Sequence, residues 1–177
     1  MAIRVVRLTS HDVERFREIR LEGLRSDPNG FRYSERDDAA IATSVWATRL
    51  DQDFVVAAVD DGNDEMLGVG GFGRFSGAKL SHKGLIWGMY VRSSARGSGA
   101  SNAIMEGLIA HARSEVRQLQ LTVMADNDRA RRFYERHGFV AYGLEPQAVR
   151  QGDDYRDELS MWLSFEVTAE HKRQRLD

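Results

Sequence analysis

Apolar and polar positions follow two different periods along this chain, and the changes between them mark its elements. Ile3 to Leu8 has strand length. Thr9, with Asp12 three residues later, fits a capping box, so a helix is expected to follow. In that helix Val13, Phe16, Ile19 and Leu24 fall on one broad side, and Ser26-Asp27-Pro28-Asn29-Gly30 ends it. Asp38 to Leu50 reads as a second helix. The period then changes. Phe54 to Val59 is a continuous apolar run, Asp60-Asp61-Gly62-Asn63-Asp64 a turn, and Met66 to Phe75 a second strand of this group. Leu85 to Val91 is a third, entered from a loop around Ser76 to Lys83.

The second half alternates. Ser98 to Ser114 is predicted helical, with Ile104, Leu108 and His111 facing one way and Met105, Ile109 and Ala112 beside them. Leu119 to Met124 is a strand, Asp128 to His137 a helix, Phe139 to Gly143 a short strand and Asp157 to Phe165 the last. Hairpins followed by a strand–helix–strand–helix–strand run describe a mixed α/β fold with helices on the faces of a central sheet. Residues 1–165 are expected to form a single domain, with 166–177 a polar, frayed tail.

Composition narrows the chemistry. The 177 residues, 42% hydrophobic and 29% charged, fit one globular domain able to bury a core. A net charge of -2 gives no basic footprint for nucleic acid. With no cysteine there is neither a disulfide nor a thiolate metal site, and the five histidines show no helical pair at metal-ligand spacing, so no metal is expected. No apolar run approaches the roughly 18 residues of a membrane span, and the N-terminus does not read as a signal peptide. A cytoplasmic protein is expected.

Two glycine clusters stand out. Gly68-Val69-Gly70-Gly71-Phe72-Gly73 matches G-x-G-x-x-G literally, but it lies inside a strand pattern and leads into a loop. A phosphate fingerprint needs a helix after it, so this cluster reads as a bent or bulged strand with close backbone approach. Arg96-Gly97-Ser98-Gly99-Ala100-Ser101 has the right context, between the strand ending Met89-Tyr90-Val91 and a helix. Such a turn aims free N–H groups and the positive end of a helix dipole at one point, which suits a pyrophosphate. It is not a Walker A loop, lacking Gly-Lys-Ser/Thr, nor a Rossmann fingerprint, since Asn102 holds the third glycine's place.

This segment resembles the pyrophosphate loop Arg/Gln-x-x-Gly-x-Gly/Ala of the GNAT superfamily of acetyl-CoA-dependent N-acetyltransferases. Arg96 and Gly99 match, and Ser101 departs while remaining small. A second, independent segment looks like the family's Asn-x-x-Ala-x-x-x-Tyr followed by Gly-Phe: Asn127, Ala130 and Tyr134, then Gly138-Phe139. At about 100° per residue those three lie within about 60° on one helical face. Asn127 also fits an N-cap and Gly138 a C′ residue. The resemblance covers residues 3 to 165 and implies the family's acyl-CoA N-acyltransferase fold, with a mostly antiparallel sheet.

The resemblance also implies a function: transfer of an acetyl group from acetyl-CoA directly to an amine-bearing small molecule or peptide. It implies that Met89, Tyr90 and Val91 offer main-chain groups to the pantetheine arm and oxyanion. It further implies that Arg96, Gly97, Ser98, Gly99, Ala100 and Ser101 hold the pyrophosphate and that Asn127 positions the donor. Tyr134 is the candidate general acid, protonated at neutral pH with an ordinary pKa of about 10. No acyl-enzyme is expected, there being no cysteine and no nucleophile elbow. Glu35 and Glu158 are both candidates for the base, while Tyr33, Tyr155 and Trp87 are candidates for the acceptor pocket. Arg129, Arg131 and Arg132 face either the nucleotide 3′-phosphate or solvent. The acidic residues Glu35, Asp37, Asp38, Asp153, Asp154, Asp157 and Glu158 suggest a cationic acceptor. A homodimer is left open. The alternatives are an acyl-CoA-binding module without turnover and a nucleotide-binding domain.

Overall fold

The computed structural model describes residues 2–165, so the expected tail from Glu166 lies outside the described residues. Seven strands form one sheet: β1 Ile3–Leu8, β2 Phe54–Asp60, β3 Met66–Arg74, β4 Lys83–Val91, β5 Gln118–Met124, β6 Val140–Gln151 and β7 Asp154–Ser164. Their order is β1-β2-β3-β4-β5-β7-β6, and every neighbouring pair is antiparallel except β4 with β5. The helices are α1 Val13–Ser26, α2 Glu35–Ala39, α3 Thr43–Gln52, α4 Ala100–Glu115 and α5 Asp128–Arg136.

The apolar run of β2 is explained by its place between two helical layers. Val55, Ala57 and Val59 face a cluster containing Phe16 and Ile19 of α1 and Trp46 and Leu50 of α3. Val56 and Ala58 face the opposite cluster, with Ile104, Met105 and Leu108 of α4. A strand covered on both faces has no polar side to display, so it does not alternate. Upstream of α1, the Thr9 N–H donates to the Asp12 carboxylate at 3.0 Å, as the capping-box spacing predicts.

Two sequence expectations need correction. The single helix over Asp38 to Leu50 is two, α2 and α3, separated at Ala40 to Ala42. Ser34 caps α2, its hydroxyl accepting the Asp37 N–H at 3.2 Å, and Asp38 is drawn inward to pair with Arg20 of α1 at 2.7 Å. Ala42, in an extended conformation, then starts α3 afresh. The short strand over Phe139 to Gly143 is the first part of the long β6, which pairs with β7 as far as Gln151 with Asp154. Gly143 and Pro146 fall at register shifts, which absorb residues that ordinarily stop a strand.

The glycines of β3 are a packing device. A Cβ at Gly68 would stand 2.7 Å from the Tyr90 carbonyl oxygen, at Gly70 2.4 Å from Met89 Sδ, and at Gly71 2.5 Å from the Trp87 ring. Opposite them β4 bulges: Tyr90 pairs with Val69 and Trp87 with Gly71, and Gly88 between them has φ +66°. That bulge shapes the site.

Candidate active site

The parallel ladder between β4 and β5 is short, running only from Lys83 with Gln118 to Leu85 with Gln120. Beyond Leu85, β4 follows β3 while β5 stays with β7 to the pair Met124 and Glu158. The sheet therefore opens between two of its central strands. Two cavities meet at this opening.

The first, of about 430 Å³, lies between the N-terminal ends of α4 and α5. Met89, Tyr90 and Val91 form one side, Arg96, Gly97, Gly99, Ser101 and Asn102 the end, and Asn127, Arg129, Tyr134 and Arg136 the other side. Gly97 and Gly99 have φ of +83° and +96°, and a Cβ on either would meet nothing within 4 Å. Glycine is required here by backbone conformation rather than by crowding. Gly99 is the N-cap of α4, leaving the first N–H groups of that helix without intrahelical partners.

Ser98 and Ala100, expected with this loop, do not line the cavity. The Ser98 hydroxyl donates to the Ala95 carbonyl at 2.6 Å and accepts the Ala100 N–H at 3.3 Å, while the Ala100 side chain is buried in the core. They shape the turn. The Tyr90 side chain also points away, its hydroxyl donating to Glu22 at 3.1 Å, so the residue faces the cavity mainly through its main chain.

Asn127 caps α5, its Oδ1 accepting the Ala130 N–H at 3.0 Å, and it lines the cavity as well. The helix closes on Gly138 at φ +88°, with the Phe139 N–H donating to the Tyr134 carbonyl at 3.1 Å. Tyr134 is thereby fixed one turn from the helix end, with its ring against Phe133 and Phe139. Burial pushes its pKa up to about 12.

The second cavity, of about 550 Å³, lies on the α1 and α3 side. Phe31, Met89 and Tyr134 line both cavities and mark their junction. Glu158 is buried in its wall, paired with Arg32 and accepting the Thr122 hydroxyl at 3.4 Å. Arg20, Asp38, Trp46, Arg49, Trp87 and Gly88 line the rest of it, with Tyr33 nearer solvent.

Several expected residues lie elsewhere. Glu35 pairs with Arg25 at 2.9 Å and lines neither of these cavities. Tyr155 is exposed on β7, outside both. Arg131 pairs with Asp128 and Glu135 on α5 itself, and Arg132 lines neither cavity. Of the suggested acidic cluster, only Asp37, Asp38 and Glu158 reach the second cavity. Asp157 instead accepts the Gln147 N–H at 2.8 Å, and Asp153 and Asp154 are exposed on the hairpin turn.

Sequence reasoning passed over Arg20, Arg49, Asn102 and Arg136. Arg136 was within reach, since it sits seven residues after Arg129, two helical turns along one stripe. The Arg20–Asp38 pair joins two helices and leaves no periodic trace. Among the described residues no group of His, Cys, Asp and Glu is arranged to hold a metal, and no helix is long and apolar enough to cross a membrane.

The sequence profile of the acetyltransferase (GNAT) family matches residues 14–139. No curated protein sequence matches significantly. Among solved structures, a GNAT-family acetyltransferase from Streptococcus pneumoniae is 17% identical, with a TM-score of 0.82 over 93% of this chain and 100% of its own. YncA from Salmonella typhimurium, solved with its cofactor acetyl-CoA, is 16% identical, with a TM-score of 0.80 over 96% and 97%. Ribosomal-protein-alanine N-acetyltransferase from Brucella melitensis is 22% identical, with a TM-score of 0.76 over 93% and 100%.

Proposed function

The chain belongs to the acetyltransferase (GNAT) family, and on that premise we propose how its residues carry an acetyl group from acetyl-CoA to an amine. One observation supports the scheme most directly: the cavity beside the glycine turn and the cavity beside Glu158 share Phe31, Met89 and Tyr134. Donor and acceptor occupy one cavity each, and the reacting atoms meet at the junction. Residues 1–165 act as one catalytic domain, which we assign to the cytoplasm.

The pyrophosphate of acetyl-CoA lies against the main chain of Arg96 to Ser101, where the dipole of α4 and its unpaired N–H groups favour an anion. Ser98 and Ala100 serve by holding the turn, and Arg129 and Arg136 add positive charge from α5. The pantetheine arm runs along Met89, Tyr90 and Val91, past the bulge that releases main-chain groups from the β3 ladder. Those groups also face the thioester oxygen as it gains charge.

In the reaction the amine lone pair forms a bond to the thioester carbonyl carbon, and the carbon–sulfur bond breaks. Starting from the ammonium form, nitrogen sheds two protons in all and sulfur gains one. Glu158, the candidate base that faces the acceptor cavity, takes the first proton from the ammonium form. Tyr134, kept neutral by burial, donates to the departing sulfur. A hydroxyl of pKa about 12 giving its proton outright to a thiolate of ordinary pKa, about 8.5, would run uphill. The same hydroxyl must therefore be reprotonated by the nitrogen, which becomes strongly acidic once acylated.

Thiol release from acetyl-CoA, measured with purified protein across a panel of amines and paired with mass detection of the N-acetyl product, tests the scheme. Amine-dependent release is expected. Tight acetyl-CoA binding with no release by any amine would make the chain a binding module instead.

A further inference from the structure

The second cavity contains more hydrogen-bond donors than its protein partners use. Arg20 is buried, and its only hydrogen bond among the described residues runs from Nε to Asp38 at 2.7 Å. Its Nη1 is buried without a partner, as is Trp87 Nε1. Arg49 lies over the Trp87 ring, its Cζ 3.8 Å from the centroid, and uses only Nε, on Asp53 at 3.3 Å. The Arg20 guanidinium is next to Gly88, where a Cβ would stand 3.5 Å from its Nη1. Two guanidinium groups and an indole N–H thus gather around Trp87 and Gly88, and none of them can accept a hydrogen bond.

The carboxylates of the same cavity are already matched. Asp38 holds Arg20, Glu158 holds Arg32, and Asp37 accepts the N–H and hydroxyl of Ser34 at 3.1 and 2.7 Å. A purely cationic acceptor would find these acceptors engaged, against the expectation from acidic composition. A carboxylate would find the geometry that guanidinium groups fit best, with two parallel charge-assisted bonds.

We propose that this cavity selects acceptors carrying a carboxylate beside the reacting amine, an amino acid or close analogue, with the carboxylate held by Arg20 and Arg49. The proposal rests on the acetyltransferase reading above and adds the substrate class. The two walls then divide the work. Arg20, Arg49 and Trp87, on α1, α3 and β4, hold the anionic end of the acceptor. Thr122 and Glu158, on β5 and β7, face its amine. An acceptor spanning the walls would present its nitrogen toward Tyr134, which lines the same cavity.

Initial rates of thiol release test this with acceptors in matched sets of three: an amino acid, its primary carboxamide and its decarboxylated amine. Loss of the carboxylate should lower kcat/KM at least about tenfold, because the site's donors are left unpaired. Equal rates across a set, or preference for the uncharged members, would overturn the proposal. Arg49→Gln changes a part-exposed side chain and leaves the buried Arg20–Asp38 pair intact. It should raise KM for the amino acid about fivefold or more, leaving KM for acetyl-CoA near wild type, with partial recovery in Arg49→Lys. An unchanged amino-acid KM would count against it.

Calorimetric titration of the wild type with N-acetyl amino acids and with their carboxamides gives a reading that needs no turnover. The acids should bind and the carboxamides should not; indifference between them sinks the carboxylate site. Binding of the acids in a protein that releases thiol with no acceptor would uphold that site while overturning the transfer scheme.

Discussion

Arg32 is an exposed side chain that neutralises a buried one: its own exposure is 46%, and that of its partner Glu158 is 3%. The hydrogen bond to Glu158 is also the main reason the Arg32 pKa lies above its ordinary value. Arg32→Gln would leave the carboxylate with only Thr122 nearby, at a cost of about 1–3 kcal/mol at neutral pH. Urea unfolding at pH 7.5 should show the deficit, and adding Glu158→Gln should relieve it. A deficit unchanged by Glu158→Gln would mean that Arg32 contributes packing alone.

The left-handed conformation of Gly99 separates two effects of substitution. Gly99→Asn should fold and largely keep acetyl-CoA affinity, because asparagine tolerates that conformation. Gly99→Glu places a carboxylate where the pyrophosphate is proposed to lie and should raise Kd at least about tenfold. Calorimetry on both, with melting curves to confirm folding, checks this. Equal affinities would remove the turn from the donor site.

For Tyr134 two readouts are expected from one variant. Tyr134→Phe should lower kcat by about tenfold or more, with acetyl-CoA affinity little changed. Because burial raises this hydroxyl from 10.0 to about 12, the folded state holds its proton more tightly than the unfolded state. The associated stability is complete below pH 10 and is lost as pH rises toward 12. Wild type should therefore lose stability faster than Tyr134→Phe across that window. A basic limb in kcat with an apparent pKa well below 10, absent from the variant, would contradict the neutral-hydroxyl role.

Two glycines should respond to alanine with opposite signs. At Gly70 a Cβ would stand 2.4 Å from Met89 Sδ and 2.8 Å from Ile104, so overpacking should cost about 1–3 kcal/mol. At Gly107, inside α4, the nearest atom would be Val5 Cγ1 at 3.6 Å, an ordinary contact, and alanine should add about 0.5–1 kcal/mol. Thermal melts of the pair decide the matter. Since the Gly70 clash falls on Met89, that variant alone should also weaken acetyl-CoA binding.

Elements whose cause is local were legible in the sequence. Ile3–Leu8 is legible to the residue, and Asn127 and Gly138 bracket α5 because capping is written in adjacent residues. The turn at Arg96 to Ser101 was legible because glycine at that strand–helix junction has few other uses. What failed to show depends on distant partners. Asp38 reads as an ordinary helix residue until Arg20 draws it inward. Most of β6 is exposed and lacks an apolar alternation, so its pairing with β7 is carried by the backbone ladder. Charge counting is blind for a related reason: composition records how many carboxylates a segment has, but not which are already paired.

The two cavities sharing Phe31, Met89 and Tyr134 have a kinetic consequence in the proposed scheme. With one compartment for each compound, neither would have to depart before the other arrives, and the transfer would pass through a complex containing both. Double-reciprocal plots at several fixed concentrations of the second compound should intersect rather than run parallel. Radiolabelled CoA should not scramble into acetyl-CoA while the amine is withheld. A covalent adduct joining the two compounds through a linker across the junction would occupy both compartments at once and should bind more tightly than either half.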